Sequence, residues 1–312
     1  FFVDNKNNKK KYLEKYEEAI KINIKKKISE KQKKVSLKKI SQLTKKKNFI
    51  PWLQQLKFKK INESNYKKFD YVIYAHSFTD GQMWYGYDGF ENTLDWLEFT
   101  LDVLKDKNKK ILVKPHPNFY NNSLAIYAEW DRKIYNIVKK KYKNLKNIYF
   151  LDSPIQNYEL QKELDSSKCI AITKYGSVVL EAAYMNFKII CSDKNFFDSK
   201  FKIANRWKNI DNYKKLLNMN YNKLKSSNNL DLLKLIYSLF YIYNSVYNIK
   251  SYFETVICKS LNLNGKQFYN LFFVKARTQI SKSKLNHLDK LIKNNLIKIN
   301  KKLSNKIWEV KI

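Results

Sequence analysis

The central part of this chain alternates short apolar strands with helical stretches, and this pattern limits the folds that the chain can adopt. Five strands are predicted, at residues 69–76, 111–114, 147–151, 169–173 and 188–192. Helices are predicted between them, at residues 92–105, 123–143, 157–164 and 177–185. Strands that alternate with helices in this way form a parallel sheet with helices on both faces. The sequence therefore predicts an α/β fold with a Rossmann-like parallel sheet.

The segments on either side of this region have a different composition. Residues 1–68 contain 22 basic and 6 acidic residues, a net charge of +16, and residues 201–312 contain 22 and 5, a net charge of +17. Residues 69–200 contain 18 basic and 17 acidic residues, a net charge of +1. We expect a Lys-rich helical segment at 1–68, a Rossmann-like domain at 69–195 and a helical region at 196–312, with no strand after Asp193.

The charge distribution bears on the partners of the protein. An enzyme that acts on nucleic acid carries its basic surface where the substrate lies, yet the strands and the loops between them are nearly neutral here. Nucleic acid is therefore not the expected partner. The basic flanks fit an anionic membrane surface, which attracts roughly 1 kcal/mol per nearby Lys. Alternatively, they reflect a general abundance of Lys, Asn and Ile in the chain.

Cysteine usage and hydropathy indicate the compartment. Cys169, Cys191 and Cys258 are far apart and odd in number, which is typical of reduced thiols in a cytosolic protein. The sequence contains no run of about 18 uncharged apolar residues, so no membrane span is predicted. The chain starts without Met or a signal-peptide pattern, and we expect its true N-terminus further upstream. The expected location is the cytoplasm, with peripheral attachment to the inner face of the plasma membrane.

Polar residues with a capacity to bind phosphate follow the second and fourth predicted strands. Lys114 supplies a positive charge, and His116 lies on a stiff loop between two prolines, where a hydrogen bond from its imidazole costs little conformational entropy. Gly176 and Ser177 begin a helix, whose N-terminus favours an anion. Glu181, one turn into that helix, could accept hydrogen bonds from ribose hydroxyls. Each residue also has a structural explanation, as a turn, an ordinary helix start or a salt-bridge partner.

The loop at residues 76–90 has the composition of a substrate loop. It contains three of the five glycines of the chain beside aromatic and acidic residues. Asp80 lies a few residues after the first strand, where a carboxylate could take a proton from an acceptor hydroxyl. His76 and Asp88, at either end of the loop, are further candidates for contact with the acceptor.

Four segments, taken in order, resemble the capsule polysaccharide biosynthesis glycosyltransferases, which are GT-B enzymes related to the bacterial Kdo transferases. They are AHSFTDGQMWYGYDGF, NTLDWLEFTL, ILVKPHPN and TKYGSVVLEAAYMNFKII, and the likeness covers residues 69–195. The resemblance implies that the strands form the C-terminal half of a GT-B enzyme. It implies a nucleotide-sugar donor, with a CMP-sugar such as CMP-Kdo favoured, and a polysaccharide or glycolipid acceptor, with no metal and no other cofactor.

The resemblance also implies roles for individual residues. Phosphate binding falls to His116 and Pro117 and to Gly176 and Ser177, and the acid one turn further on is Glu181. The general base falls in an acidic-glycine segment, most plausibly Asp80 with Gly81, although the base can also come from the other domain of such enzymes.

Two departures from the family pattern leave alternatives open. Residues 1–68 are too few to form a first Rossmann-like domain, so they are the end of a missing domain or its remnant. The usual glycine before the last strand is Asn186 here, which can supply the same left-handed turn. The alternatives are a CDP-glycerol or CDP-ribitol phosphotransferase of the teichoic-acid type, and a non-catalytic basic scaffold that binds membrane or nucleic acid.

Overall fold

The computed structural model describes residues 27–45, 65–78, 87–120, 125–195 and 201–239, and all of these except Leu239 belong to one compact unit that ends at Ser238. Six strands form one sheet: β1 Tyr71–Tyr74, β2 Ile111–Lys114, β3 Ile148–Phe150, β4 Ile170–Thr173, β5 Lys188–Ser192 and β6 Asn205–Trp207. All neighbours pair in parallel, in the order β3-β2-β1-β4-β5-β6. This is the strand order of the Rossmann fold, and the prediction of a Rossmann-like parallel sheet is confirmed.

Helices cover both faces of the sheet. Among the described residues they are α1 Glu30–Lys45, α2 Thr93–Lys105, α3 Ala125–Tyr142, α4 Asn157–Glu163, α5 Val178–Tyr184, α6 Ile210–Leu217 and α7 Asn229–Tyr237. Helices α2, α3 and α6 share an apolar core with alternate residues of the strands, such as Ile73 and Val113. The residues between them point to the opposite face, where α5 packs on β4 and β5 and contacts α1, α4 and α7.

Asparagine side chains determine where several helices begin. The side chain of Asn92 accepts a hydrogen bond from the backbone N–H of Asp95 at the start of α2, and Asn209 does the same for Asn212 at the start of α6. Each bond satisfies one of the N–H groups that a helix start leaves without an intrahelical partner. The asparagine side chains therefore fix the residue at which each of these helices begins.

An asparagine, rather than a glycine, turns the chain at the end of α5. Asn186 has a left-handed backbone with φ of 62°. Its N–H donates to the carbonyl of Ala183, and the N–H of Phe187 donates to the carbonyl of Ala182. These two bonds form a Schellman motif, which turns the chain from helix to strand. The prediction that Asn186 supplies the left-handed turn is confirmed.

The largest buried side chains hold α2 against α6. Trp96 is fully buried and donates from its indole N–H to the hydroxyl of Tyr213 at 3.0 Å. The same hydroxyl lies 2.6 Å from Thr100 Oγ1, and the Trp207 ring stacks on Trp96 at 6.3 Å. The indole N–H of Trp96 and the hydroxyls of Tyr213 and Thr100 are thus paired, which avoids the cost of burying them alone. The buried indole N–H of Trp207 has no hydrogen-bond partner among the described residues.

The prediction that no strand follows Asp193 is wrong. Strand β6 pairs with β5 inside the region predicted to be helical, and the next helix, α6, begins only at Ile210. The strand escapes sequence analysis because its three residues, NRW, carry no apolar run. Its register depends on Asn205, whose side-chain amide donates to the carbonyls of Ile189 and Lys225. The domain boundaries themselves stay predictions.

Other sequence predictions concern the flanks and the cysteines. The Lys-rich segment contains α1 within its described part. The region predicted to be helical at 196–312 contains α6 and α7, and residues 240–312 lie outside the described residues. Cys169 and Cys191 are buried, while Cys258 lies outside the described residues. In the part of the chain that the structure describes, no helix is both long and apolar enough to span a bilayer.

Candidate functional site

Three of the loops that carry the predicted site residues meet at the carboxyl edge of the sheet, the edge at which the parallel strands end. The His76 ring lies 5.4 Å from the His116 ring and 5.8 Å from the Tyr175 ring, measured between centroids. A Cβ atom added to Gly176 would lie 3.8 Å from His76 Cδ2. The strand order reverses between β1 and β4, and open α/β sheets bind ligands in the crevice at such a switch point. The structure therefore brings these residues to the position where a ligand is expected.

Buried Lys114 and half-buried Glu181 act on each other electrostatically. Lys114 is 5% exposed, and burial lowers the pKa of its ammonium to about 8, although the charge of Glu181 opposes the shift. Burial raises the pKa of Glu181 to about 7, against the effects of a hydrogen bond with Asn157 and of the Lys114 charge. Both groups thus change protonation state close to neutral pH, and a bound anion would favour the charged form of Lys114.

His116 lies on the loop after β2 and is half-buried. Burial, the neighbouring His76 and the charge of Lys114 together hold the pKa of His116 well below its ordinary value. The imidazole is therefore neutral at pH 7, with one N–H able to donate to an anionic oxygen. Pro117 begins a short 3-10 turn, Pro117–Tyr120, and the N–H of Phe119 donates to the His116 carbonyl at 3.0 Å. This turn limits the positions that the imidazole can take.

His76 lies at the start of the loop after β1 and is 8% exposed. Its Nδ1 is 3.1 Å from the carbonyl oxygen of Ser77. A carbonyl oxygen only accepts hydrogen bonds, so this contact requires the proton on Nδ1. Whenever this imidazole is neutral, its lone pair is therefore on Nε2, which can accept a hydrogen bond.

The turn after β4 combines an unusual backbone with an exposed hydroxyl. Gly176 has φ of +104°, a conformation that favours glycine. Ser177 is exposed and precedes α5 with helical backbone angles, and its side chain makes no capping hydrogen bond. Its hydroxyl is thus presented at the edge of the sheet rather than used to start the helix.

Lys174 is a buried cation at this edge that sequence analysis did not single out. It is 1% exposed, and its Nζ lies 3.4 Å from Asp88 Oδ1 and 3.3 Å from the carbonyl oxygen of Asn92. Burial lowers the pKa of Lys174, while Asp88 acts in the opposite direction. A lysine directly after a buried apolar strand is the signal that could have identified it.

Asp88 is completely buried by these contacts. Its second oxygen, Oδ2, accepts a hydrogen bond from the Tyr175 hydroxyl at 3.3 Å. The next residue, Gly89, has φ of +107°, and a Cβ there would lie 2.8 Å from the backbone nitrogen of Ile210. The end of the glycine-rich loop is therefore held firmly against β4 and α6, and a role of Asp88 in contact with an acceptor stays a prediction.

Two predicted residues, Asp80 and Gly81, lie outside the described residues, and their roles also stay predictions. Within the described ranges, no three His, Cys, Asp or Glu side chains are grouped as metal ligands. The expectation that activity needs no metal is untested by this observation.

Comparison with known proteins finds only weak structural similarity. No family model matches the chain, and no curated protein does. A solved structure of the Methanocaldococcus jannaschii UDP-GlcNAc 2-epimerase, in complex with UDP-GlcNAc and UDP, matches with 14% identity and a TM-score of 0.34. The match covers 67% of this chain and 53% of the epimerase chain, so this chain spans about half the length of that protein. At this TM-score the two chains are too different for the epimerase to inform the function of this one.

Proposed function

We propose that the chain is a glycosyltransferase that uses a nucleotide-sugar donor, and that its parallel sheet is the donor-binding half of a GT-B enzyme. The observation that carries the proposal is the meeting of His76 and His116 with the Gly176 turn at the switch point of the sheet, where the charge of Lys114 acts on His116. These groups offer a positive charge, a neutral N–H donor and a glycine turn within one crevice. A phosphate-bearing nucleotide is the ligand class that this combination suits best.

In the proposed reaction an acceptor hydroxyl attacks the anomeric carbon of the donor sugar. The new glycosidic bond forms as the bond from that carbon to the phosphate oxygen breaks, and the nucleotide leaves with the electron pair. Lys114, His116 and the Ser177 turn stabilise the charge on the departing phosphate. Asp80 takes the proton of the acceptor hydroxyl, and Glu181 accepts hydrogen bonds from the ribose.

The acceptor and the cellular setting are part of the same proposal. We propose that the enzyme extends a capsule or other surface polysaccharide, or a glycolipid, from a CMP-sugar such as CMP-Kdo. Its basic flanks, with net charges of +16 over 22 basic and 6 acidic residues and +17 over 22 and 5, would attach it to the anionic inner face of the plasma membrane.

The first experiment is nucleotide binding by the full chain. Thermal unfolding is followed with CMP, CDP, UDP and GDP, for the wild type and for His116→Ala. We expect one nucleotide to raise the midpoint of unfolding, because a ligand that binds only the native state stabilises it, and we expect the variant to lose that shift. Lys109→Ala, at an exposed lysine on the opposite edge of the sheet, is the control that should keep it.

The outcomes separate the proposal from its rivals. Stabilisation by CMP followed by sugar transfer supports the proposal, whereas transfer from CDP-glycerol or CDP-ribitol would identify a phosphotransferase of the teichoic-acid type. If no nucleotide binds and the chain instead shows salt-dependent binding to anionic vesicles or oligonucleotides, the protein is a basic scaffold and the proposal is wrong.

A further inference from the structure

The first half of α3 holds the loops of the candidate site in place. Asp131 is 2% exposed and accepts two hydrogen bonds from the loop after β1, one from Ser77 Oγ at 2.6 Å and one from the backbone N–H of Phe78 at 2.8 Å. A carboxylate at a buried helix position is costly unless it is hydrogen-bonded. An apolar residue would pack α3 on the sheet without that cost, so the packing of the helix does not explain why an acid is present here.

The neighbouring residues of α3 contact the other loops of this edge. Arg132 donates to the carbonyl of Phe119, in the turn that follows His116, at 3.2 Å. The Tyr135 hydroxyl lies 3.1 Å from the carbonyl oxygens of both Val113 and Leu151, at the ends of β2 and β3. Consecutive residues on one helix, Asp131 and Arg132, thus bind the loop that carries His76 and the loop that carries His116.

We infer that Asp131 is a positioning residue, which holds the loop after β1 so that His76 faces His116 across the crevice. Ser77 connects the two ends of this arrangement, since its hydroxyl donates to Asp131 and its carbonyl accepts from His76 Nδ1. Asp131 therefore fixes both the position of the His76 ring and the carbonyl that selects its tautomer. The inference rests on the proposed function only for the identity of the ligand, a nucleotide phosphate.

The arrangement of the rings can be tested without any ligand. The chain contains three histidines, so its imidazole signals can be resolved by NMR after selective labelling and assigned with His76→Gln and His116→Gln. We expect Asp131→Ala to shift the signals of both rings and to change the pH dependence of the His76 signals. The amide in Asp131→Asn can still donate one hydrogen bond to the loop after β1 and accept one from it, so we expect this variant to keep most of the wild-type spectrum.

A matched control lies at the opposite edge of the sheet. Asp70 also accepts one backbone N–H, from Lys110 at 2.9 Å, and one side-chain donor, Lys109 Nζ at 3.1 Å. Asp70→Ala removes the same kinds of bond and should leave both imidazole signals unchanged. If the two alanine variants perturb the rings equally, or if Asp131→Ala perturbs neither ring, the inference is wrong.

Nucleotide affinity is the second measurement, with whichever of CMP, CDP, UDP or GDP the wild type binds. We expect Asp131→Ala to weaken binding about tenfold or more, because small displacements of a binding group are costly, and Asp70→Ala to leave it unchanged. If the wild type binds no nucleotide while the imidazole signals respond to Asp131→Ala, the proposed function fails and the positioning role stands. If Asp131→Ala does not fold, Ser77→Ala is used instead, because it removes one of the two hydrogen bonds to Asp131. The imidazole signals and the nucleotide affinity of that variant then test the inference.

Discussion

Lysines at the two edges of the sheet differ sharply in their environment. At the amino edge, where the strands begin, Lys109 is half-exposed and pairs with Asp70 at 3.1 Å. At the carboxyl edge, Lys174 pairs with Asp88 at 3.4 Å, and the two side chains are 1% and 0% exposed. An exposed pair changes stability little, while a buried cation loses its hydration and must be compensated by its partners. Of these two ion pairs, the one that is costly to bury therefore lies at the edge where ligands of open α/β sheets bind.

At the amino edge, a neutral side chain holds the connection between α2 and β2. The side-chain amide of Asn147 donates to the carbonyls of Lys105, Lys107 and Lys109, at 3.0, 3.3 and 3.2 Å. One side chain thus satisfies three backbone acceptors of the connection between α2 and β2. No ionisable group needs to be buried for this purpose, so holding loops in place does not by itself explain Lys174 and Lys114 at the other edge.

The largest expected effect concerns the two ion pairs. Lys174→Met should lower the free energy of unfolding by about 3–5 kcal/mol, because Asp88 is left buried without its cation. Lys109→Met should lower it by less than about 1 kcal/mol, because Asp70 stays in contact with water. Urea denaturation of both variants measures the difference, and equal losses would show that burial does not distinguish the two edges.

The next effect is on catalysis. Once the donor is known, His116→Ala should reduce the rate of sugar transfer by about 10²-fold or more, because a donor to the leaving phosphate acts mainly in the transition state. Asn147→Ala, which removes three hydrogen bonds at the amino edge, should lower the midpoint of unfolding and leave the rate per folded molecule unchanged. A transfer rate that responds equally to both variants would mean that His116 acts only through stability.

The pH dependence of nucleotide binding tests the buried lysine Lys114 at the carboxyl edge. The pKa of Lys114 is about 8 in the free protein, and a bound phosphate favours its protonated form. Well below pH 8 Lys114 stays protonated, so its contribution to nucleotide affinity should not change with pH. Above pH 8 the affinity should fall by up to about tenfold per pH unit. Calorimetric titration from pH 6.5 to about 9.5 follows this change.

Two variants identify the group responsible for the pH dependence. Lys114→Met should bind more weakly and lose the fall above pH 8. Glu181→Gln should keep a fall but move it to lower pH, because the charge of Glu181 raises the pKa of Lys114. A fall that persists in Lys114→Met would assign it to another group.

The smallest effect is expected at the amino edge, where α5 ends. Asn186→Gly should raise the free energy of unfolding by less than about 1 kcal/mol, because glycine adopts a φ of 62° without strain. Asn186→Ala should lower it by about 1–2 kcal/mol. Neither substitution should alter nucleotide affinity, and a change in affinity would show that the two edges are coupled.

The sheet was predictable because its strands are short, apolar and regularly separated. Each of the first five strands lies within its predicted segment, since a strand buried on both faces needs a run of apolar residues. Strand β6 has no such run. It forms where β5 offers a free edge and where Asn205 satisfies nearby carbonyls, and neither condition is visible in the three residues themselves.

The candidate site was predictable in part, for a related reason. Parallel strands end at one edge, so residues that follow them, such as His76 and His116, were expected to meet. Asp88 was interpreted as part of a substrate loop from its glycine-rich surroundings, yet it is buried against Lys174. Asp131, 53 residues after Phe78 in the chain, gave no local signal of its contact with that loop.

Local sequence patterns predicted the α/β class, the positions of five strands and the loops that carry His116 and the Gly176 turn. They could do so because hydrophobic periodicity and backbone preferences are local properties of the chain. Only the tertiary structure decided which charges are buried and which residues hold the loops. Burial and hydrogen bonding between distant segments depend on how helices pack on the sheet. The pKa of Lys114 near 8, the Lys174–Asp88 pair and the bonds of Asp131 arise from that packing.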